Sequence, residues 1–296
     1  MQADIVNVAQ LPPELPPIQP AGGQVAQIWA QRRHLFNGYW AVIGLFVVVA
    51  ILAPILAPYD PVRSDLPNRL LPPSWQHWFG TDVYGMDIYS RVLWATRTDF
   101  SIALIGVLLA VVVGVPLGAL SGYLGGLADD ALSRVSEMIQ AIPLFLFALM
   151  VFAALGNSSR VLVGVVALVN APIFLKLTRS VVLPLRNADF IAAARCAGLR
   201  PITVVIKHIL PNALAPVSSQ FSISCAYAIQ ITAGLSFLGF GVPIPYPEWG
   251  SMIQEGASRI IYGEWWTSVF PGLAVLIAVL GFGGIGRQVH KMYTTS

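Results

Sequence analysis

Charge is scarce in this sequence. Of 296 residues, 17 are Lys or Arg and 14 are Asp or Glu, together 10%. A soluble domain carries about 25%. With 56% hydrophobic residues and a mean hydropathy of +0.71, most of the surface cannot face water, and a multi-pass membrane protein is expected. The net charge of +3 comes with no basic run and no aromatic interleaving, which argues against a nucleic-acid partner. Cysteine is nearly absent: Cys196 falls in a polar loop and Cys225 in an apolar span, so two small buried or semi-buried thiols are expected and no disulfide. The four histidines (His34, His77, His208, His290) are scattered without metal-ligand spacing, so no metal site is expected. The first 37 residues lack an apolar signal-peptide core and carry Pro12, Pro13, Pro16, Pro17 and Pro20 instead. A disordered or polyproline-like cytosolic tail follows from that composition.

Two further absences bear on function. A phosphate-cradling Walker loop ends in Gly-Lys, yet the three lysines (Lys176, Lys207, Lys291) follow Leu, Ile and His. Any ATP hydrolysis therefore belongs to another polypeptide. Ion coupling needs ionisable groups deep in the membrane, and the apolar spans hold almost none: Glu137, Lys176 and Arg179 lie near their inner ends. A proton- or sodium-driven carrier is disfavoured, as is an enzyme using a carboxylate pair. No Ser/His/Asp or Cys/His arrangement arises either, because His77 falls on the opposite side from the other histidines.

What is present is a series of apolar stretches of the length a bilayer requires, about 20 residues. Six qualify: about 38–57, 100–122, 135–155, 160–182, 213–237 and 266–285. Prolines inside them (Pro54, Pro116, Pro143, Pro172) are tolerated where neighbouring helices satisfy the freed backbone groups. The expected organisation is a tail over 1–37, a transmembrane domain over 38–286 and a second cytosolic tail over 287–296. With the N-terminus inside, eleven Lys and Arg fall on inner segments and six on outer ones, which places both termini in the cytosol. Two outer segments are long, about 58–99 and 238–265, and the Trp265-Trp266 pair suits an interfacial aromatic belt.

The inner loop at about 184–212 is unusually shaped. Asn187 is a candidate N-cap, Asp189 complements the helix dipole, and Ala188 and Ala192–Ala194 favour helix. Phe190, Ala194 and Ala197 fall at i, i+4, i+7 and are expected to share one face, a single bulky knob among small residues. Gly198 can end the helix and Pro201 prevents its resumption, with a second helical stretch over about 202–210. From these residues alone, the segment is either a helix on the membrane interface or one presented to a cytosolic partner.

Ala193, Ala194, Gly198, Leu210 and Pro211 match the pattern Glu-Ala-Ala, three residues, Gly, nine residues, Ile-x-Leu-Pro. That pattern resembles the coupling loop of permease subunits of binding-protein-dependent ABC importers, in the dipeptide/oligopeptide/nickel group. Ala192 stands where that group has Glu, and His208 where it has Ile. The first outer loop is similar to the same group's Gly-Thr-Asp-x-x-Gly-Arg-Asp-x-x-Ser-Arg signature through Gly80, Thr81, Asp82, Gly85, Asp87, Ser90 and Arg91, with Met86 in place of the Arg. The run from Ala233 to Pro243 and the segment Glu248, Trp249, Gly250 are similar as well.

The resemblance implies an all-α polytopic protein with six transmembrane helices, type I ABC importer permease-like, and a cytosolic coupling helix over about Asp189–Leu199. It implies coupling to an ATPase through Asp189, Phe190, Ile191, Ala193, Ala194, Arg195, Gly198 and Leu199. Phe190 is the expected contact knob, its alternative being burial against the permease's own helices. The implied partners are a second homologous permease, two cytosolic ATPase subunits that bind ATP and Mg, a periplasmic or extracellular substrate-binding protein, and membrane lipid. The implied location is the cytoplasmic (inner) membrane of a bacterium. In the outer loop, Asp82 and Asp87 are expected to cap turns or pair with Arg91 and Arg97, the alternative being substrate contact. Trp249 is expected to anchor in the interface or against a docked protein. Asn170, Gln220, Ser222, Ser224 and Gln230 either line the translocation path or hydrogen-bond between helices. An ATP-independent channel or carrier and a membrane scaffold are the competing functions.

Overall fold

Proline, glycine and capping side chains cut the apolar sequence into ten α-helices among the described residues. The computed structural model describes residues 22–294, with side chains from Gly38 onward except those of Arg195, Pro201 and Thr294. Residues 1–21, with all five prolines of the expected tail, lie outside the described residues, whereas residues 22–37, also expected in that tail, are helical and open the first helix. In chain order the helices are α1 (Gly22–Leu56), α2 (Ile88–Leu124), α3 (Gly126–Ala141), α4 (Leu144–Leu155), α5 (Ser159–Leu185), α6 (Asp189–Cys196), α7 (Pro201–Val204), α8 (Leu210–Phe237), α9 (Trp249–Ala257) and α10 (Trp266–Thr294). No strand occurs among the described residues, only an isolated bridge between Thr81 and Asp87. The all-α polytopic expectation holds.

Several boundaries differ from expectation for physical reasons. The first long loop ends at Asp87, not Asp99. The Asp87 carboxylate accepts from the Ser90 N–H at 2.8 Å and the Ser90 hydroxyl at 2.7 Å, capping α2. Arg91, Arg97 and Asp99 consequently belong to a helix. The span expected over 135–155 is two helices bent by 93°. Pro143 disfavours helical geometry at Ile142, whose ψ of 128° is extended. α10 continues to Thr294, so the segment from Arg287 extends the last helix.

Four helical segments are long and apolar enough to cross a membrane: 38–56, α2, α5 and α10. The bent α3–α4 pair makes a fifth if it counts as one span. α8 is 28 residues long, but Ser218, Ser219, Gln220, Ser222, Ser224 and Gln230 dilute its hydropathy. The expected six spans are reached by counting α8, which packs along α10 and α2 rather than depending on lipid to accept it.

α2 and α5 form the tightest seam. Gly106, Gly114, Gly118 and Gly122 let the α2 backbone lie against Val166, Ala171, Leu175 and Val182 of α5, and a methyl at any of them would overlap its neighbour. The last three repeat every fourth residue, the small-residue spacing that lets membrane helices approach closely. At the loop end of the bundle, an aromatic cluster ties α1, α2, α9 and α10 together. Phe100 stacks on Phe46 at 5.4 Å and tilts against Phe282 at 5.3 Å, while Trp249 meets Phe46 edge-on at 5.8 Å.

Candidate functional site

Two groups of signature residues are assembled at opposite ends of α2. One surrounds Arg91, and the other packs on Ala119 and Tyr123. The 28 positions between Arg91 and Ala119 correspond to about 42 Å of helix, more than the roughly 30 Å of a hydrocarbon core.

At the first end the long loop folds into a clasp. Arg91 is fully buried, and its Nε lies 3.3 Å from Asp82 Oδ2. Its guanidinium also donates to the Pro61 carbonyl at 3.0 Å and to the Pro245 carbonyl at 3.1 Å, joining the two long loops. The other Asp82 oxygen accepts from the Tyr84 N–H at 2.8 Å and the Met86 N–H at 2.9 Å. Burial lifts the Asp82 carboxyl above its ordinary range, and the Arg91 charge opposes that rise. Gly85 must be glycine on two counts: its φ is +76°, and a Cβ there would run into the Asp65 carbonyl. Gly80 is equally enclosed, by the Leu71 carbonyl and the Trp266 ring. Thr81 donates to the Asn68 carbonyl at 2.6 Å, and its own carbonyl accepts from Trp266 Nε1 at 3.3 Å. Ser90, already held by Asp87, accepts from the Tyr59 N–H at 3.2 Å. His77 reaches Asp87 at 2.9 Å.

The expected pairing of Asp82 with Arg91 and the capping by Asp87 are therefore present. Arg97 pairs with neither aspartate; its guanidinium lies 5.9 Å from the Trp94 ring centre. Trp249 requires a correction. It is fully buried and donates from its ring N–H to the Val92 carbonyl at 3.2 Å, so it anchors α9 inside the bundle, not in the interface or a docked protein. Its backbone N–H donates to Asp99 at 3.1 Å. Glu248 caps α9 through the Gly250 and Ser251 N–H groups, both at 2.8 Å. Burial raises the Glu248 carboxyl, and the cap bonds oppose the rise. Gly250 leaves room for the Ala233 backbone, where a methyl would overlap.

Beside the clasp lies a small enclosed cavity lined by Asp82, Val83, Ile88, Met252, Glu255, Gly256 and Thr267. Burial pushes the Glu255 carboxyl up to about 7, with Asp82 adding to the rise and Arg91 opposing it. Sequence reading missed Glu255, because nothing at its own position distinguishes it from an exposed helix residue.

At the other end, α6 is pinned by two residues. Ile191 and Ala194 are buried with Val182, Val204, Val205, Ile209 and Ala119. The opposite face is open: Phe190 is 48% exposed, and Ala193 and Ala197 are exposed with it. The expected face thus needs correction at one position. Ala194 turns inward at i+3 from Ile191, and Ala193 takes its place beside Phe190. Burial against the chain's own helices falls to Ile191, not Phe190. α6 begins at Asp189, so Ala188 occupies the cap position, not Asn187; the Ala188 carbonyl accepts from the Ile191 N–H at 3.0 Å and the Ala192 N–H at 3.1 Å. Gly198 takes the left-handed φ of +75°, and the Leu199 N–H closes onto the Ala194 carbonyl at 3.2 Å. This is a Schellman-type stop. The Arg195 side chain lies outside the described residues. Cys196 is exposed and Cys225 buried, both free.

The second helical stretch does not stop before α8. α7 passes through a wide π turn, Val205–Ile209, directly into α8. Pro211 has no N–H for the Lys207 carbonyl and its ring crowds that turn, so the helix widens there. α7, which packs against α6 after the turn at 197–200, therefore runs without interruption into the long α8.

The polar residues expected on a path are mostly occupied locally. Asn170 is buried and donates to the Val166 carbonyl of its own helix at 2.8 Å. Gln220 donates to the buried Ser224 at 3.3 Å, again within one helix. Gln230 is exposed. An interhelical bond comes from Ser219, which donates to the Gly286 carbonyl of α10 at 2.8 Å.

The comparisons with known proteins agree with this arrangement. Residues 114–292 match the family of binding-protein-dependent transport system inner membrane components. Residues 40–73 match the N-terminal transmembrane domain of oligopeptide transport permease C. The chain is 38% identical to the dipeptide transport system permease protein of Alkalihalophilus pseudofirmus over 86% of its length and 85% of that protein's. It is 34% identical to the glutathione transport system permease protein of Pectobacterium atrosepticum, over 86% and 85%. It is 33% identical to the nickel transport system permease protein of Escherichia coli, over 88% and 92%. The chain belongs to the binding-protein-dependent transport system inner membrane components, within their dipeptide/oligopeptide/nickel group of ABC importer permeases.

Proposed function

We propose that this chain forms part of the path for peptides or related small solutes across the cytoplasmic membrane, and that α6 is its contact with a cytosolic ATPase. The observation that carries this reading is the two-sided character of α6. Ile191 and Ala194 fix it to α2, α5 and α7, while Phe190, Ala193 and Ala197 present one aromatic knob among methyl-sized neighbours. An exposed aromatic beside small residues suits insertion into a pocket. The continuous link from α7 through the π turn to α8 gives a displacement of α6 a stiff route into the bundle.

The remaining parts follow. Two cytosolic ATPase subunits bind and hydrolyse ATP with Mg, because this chain has no Walker loop. A second homologous permease completes the pore, and a substrate-binding protein delivers cargo to the clasp side. Both termini and α6 lie in the cytosol, in line with the eleven-to-six distribution of Lys and Arg. Relatives named for dipeptide, glutathione and nickel transport motivate the cargo test. Cells lacking this chain are complemented with it, and uptake of a labelled dipeptide, glutathione and nickel is measured with and without depletion of ATP. ATP-dependent restoration of one cargo supports the reading. Uptake that persists without ATP supports a stand-alone carrier.

A further inference from the structure

A groove of about 770 Å³ opens between the last turn of α1, the loop that follows it, α2 and the cis-Pro245 loop. That volume is in the range of small-molecule sites, roughly 300–1,000 Å³. Its α2 wall carries Trp94, Arg97, Thr98 and Ser101. Tyr59 and Asp60 approach from the loop after α1, and Tyr246 closes the far side.

Three features say what kind of molecule fits. First, the groove lies where the exposed stripes of both helices change character. Below it, the exposed residues of α2 are Leu104, Ile105, Leu108, Leu109, Val112 and Val113. Those of α1 below the groove are likewise apolar, Val47, Val48 and Ile51 among them. Above that level come Ser101 and Arg97 on α2, and Tyr59 and Asp60 after α1. The groove thus straddles the boundary between hydrocarbon and headgroup. Second, Arg97 is an exposed guanidinium with no ion-pair partner among the described residues, 5.9 Å from the Trp94 ring centre. The Thr98 and Ser101 hydroxyls lie on the same wall. A guanidinium flanked by hydroxyls suits a phosphodiester. Third, the rim also holds one carboxylate. Asp60 accepts from the Val62 N–H at 3.0 Å through one oxygen. With three aromatic rings nearby, that carboxylate suits an ammonium group.

We infer that this groove holds a glycerophospholipid with an ammonium-bearing headgroup. The phosphate sits at Arg97, Thr98 and Ser101, the ammonium faces Asp60 and the rings, and the acyl chains run down the apolar stripes of α1 and α2. The bound lipid fills the gap beside the aromatic cluster and braces α1 against the bundle.

The test uses the importer complex purified from its own membrane and exchanged into nanodiscs of equal parts phosphatidylethanolamine and phosphatidylglycerol. Native mass spectrometry of the released complex counts retained lipids. The wild type should retain phosphatidylethanolamine in preference. Arg97→Gln should lower retention at least five-fold, as should Ser101→Phe, which fills the groove without changing its charge. Asp60→Asn should abolish the preference for ethanolamine while leaving phosphatidylglycerol bound. Arg69→Gln, an exposed arginine away from the groove, should change nothing. Millimolar inorganic phosphate should not displace the lipid; displacement would mean that a free anion is the occupant. Retention unaltered by both Arg97→Gln and Ser101→Phe would overturn the inference, as would wild-type retention without headgroup preference. Absence of bound lipid from the complex would mean that a neighbouring subunit covers the groove, and would overturn it too.

Discussion

Replacing Arg91 with Met should open the clasp, and the size of the effect can be worked from its contacts. The Met chain fills most of the space but removes the only cation within ion-pair reach of Asp82 among the described residues, along with the bonds to the Pro61 and Pro245 carbonyls. Removing one partner of a buried ion pair costs about 3–5 kcal/mol, because the other charge is left uncompensated. Asp82, already held above its ordinary range by burial, can escape part of that cost by taking up a proton. The loss should therefore sit at the lower end, about 3 kcal/mol. Asp82→Asn alone should cost at least as much: its side-chain oxygen still accepts from the Tyr84 and Met86 N–H groups, but its amide N–H then faces the fully buried Arg91 cation, which cannot shed its charge. The double variant should regain about 1–2 kcal/mol relative to the sum of the singles. Cys225 is fully buried in the same core and serves as the reporter, in a Cys196→Ser background. Its labelling rate in mild detergent should rise about a hundredfold in Arg91→Met, the factor that 3 kcal/mol implies. Additive single effects, or an unchanged labelling rate in Arg91→Met, would refute the view that the ion pair holds the two loops together.

Other outcomes follow from the same contacts. Ile191→Ala should destabilise the α6 region by about 2–4 kcal/mol, because it empties a fully buried site; limited proteolysis between α5 and α8 reports this, and Phe190→Ala should leave it unchanged. Gly85→Ala should impair folding of the first loop, read as lost accumulation in the membrane, because both its positive φ and the Asp65 carbonyl exclude a Cβ. The Glu255 carboxyl titrates near 7 in the folded protein against an ordinary 4.5. Below pH 4.5 both states are protonated and nothing is lost. As the pH rises toward 7 the unfolded chain releases its proton first, so stability falls, by up to about 3 kcal/mol before partial exposure reduces it. Glu255→Gln should flatten that slope in denaturation measured between pH 5 and pH 8.

The helical architecture was legible because apolar length is a strong signal, and α2, α5 and α10 need no tertiary information. The bend at Pro143 was not read, because a proline in an apolar run is compatible with a tolerated kink as well as a full break. The glycines at 114, 118 and 122 carried a readable packing signal that the apolar count obscured. At the clasp, the residue types at Asp82, Asp87 and Arg91 were sufficient to suggest pairing and capping. Trp249 was misplaced because an indole near a span end is equally at home in an interface or a core; only the Phe46, Phe100 and Val92 neighbourhood decides. On α6, spacing alone selected a face containing Ala194, yet the inward direction is set by Ala119, Val182 and Val204, which are distant in sequence from one another. Glu255 and the groove at Arg97 depend wholly on such distant approach.

The most direct test of the coupling role is co-purification from native membrane of the wild type, Phe190→Ala and Gly198→Asp. Gly198→Asp strains the left-handed stop of α6, and Phe190→Ala removes its exposed knob without touching the buried face. An ATPase should accompany the wild type and be lost from both variants, while Cys225 stays protected and the permease stays in the membrane. An ATPase bound equally well by Phe190→Ala, or absent from the wild type in mild detergent, would contradict the assignment of α6 as the coupling helix.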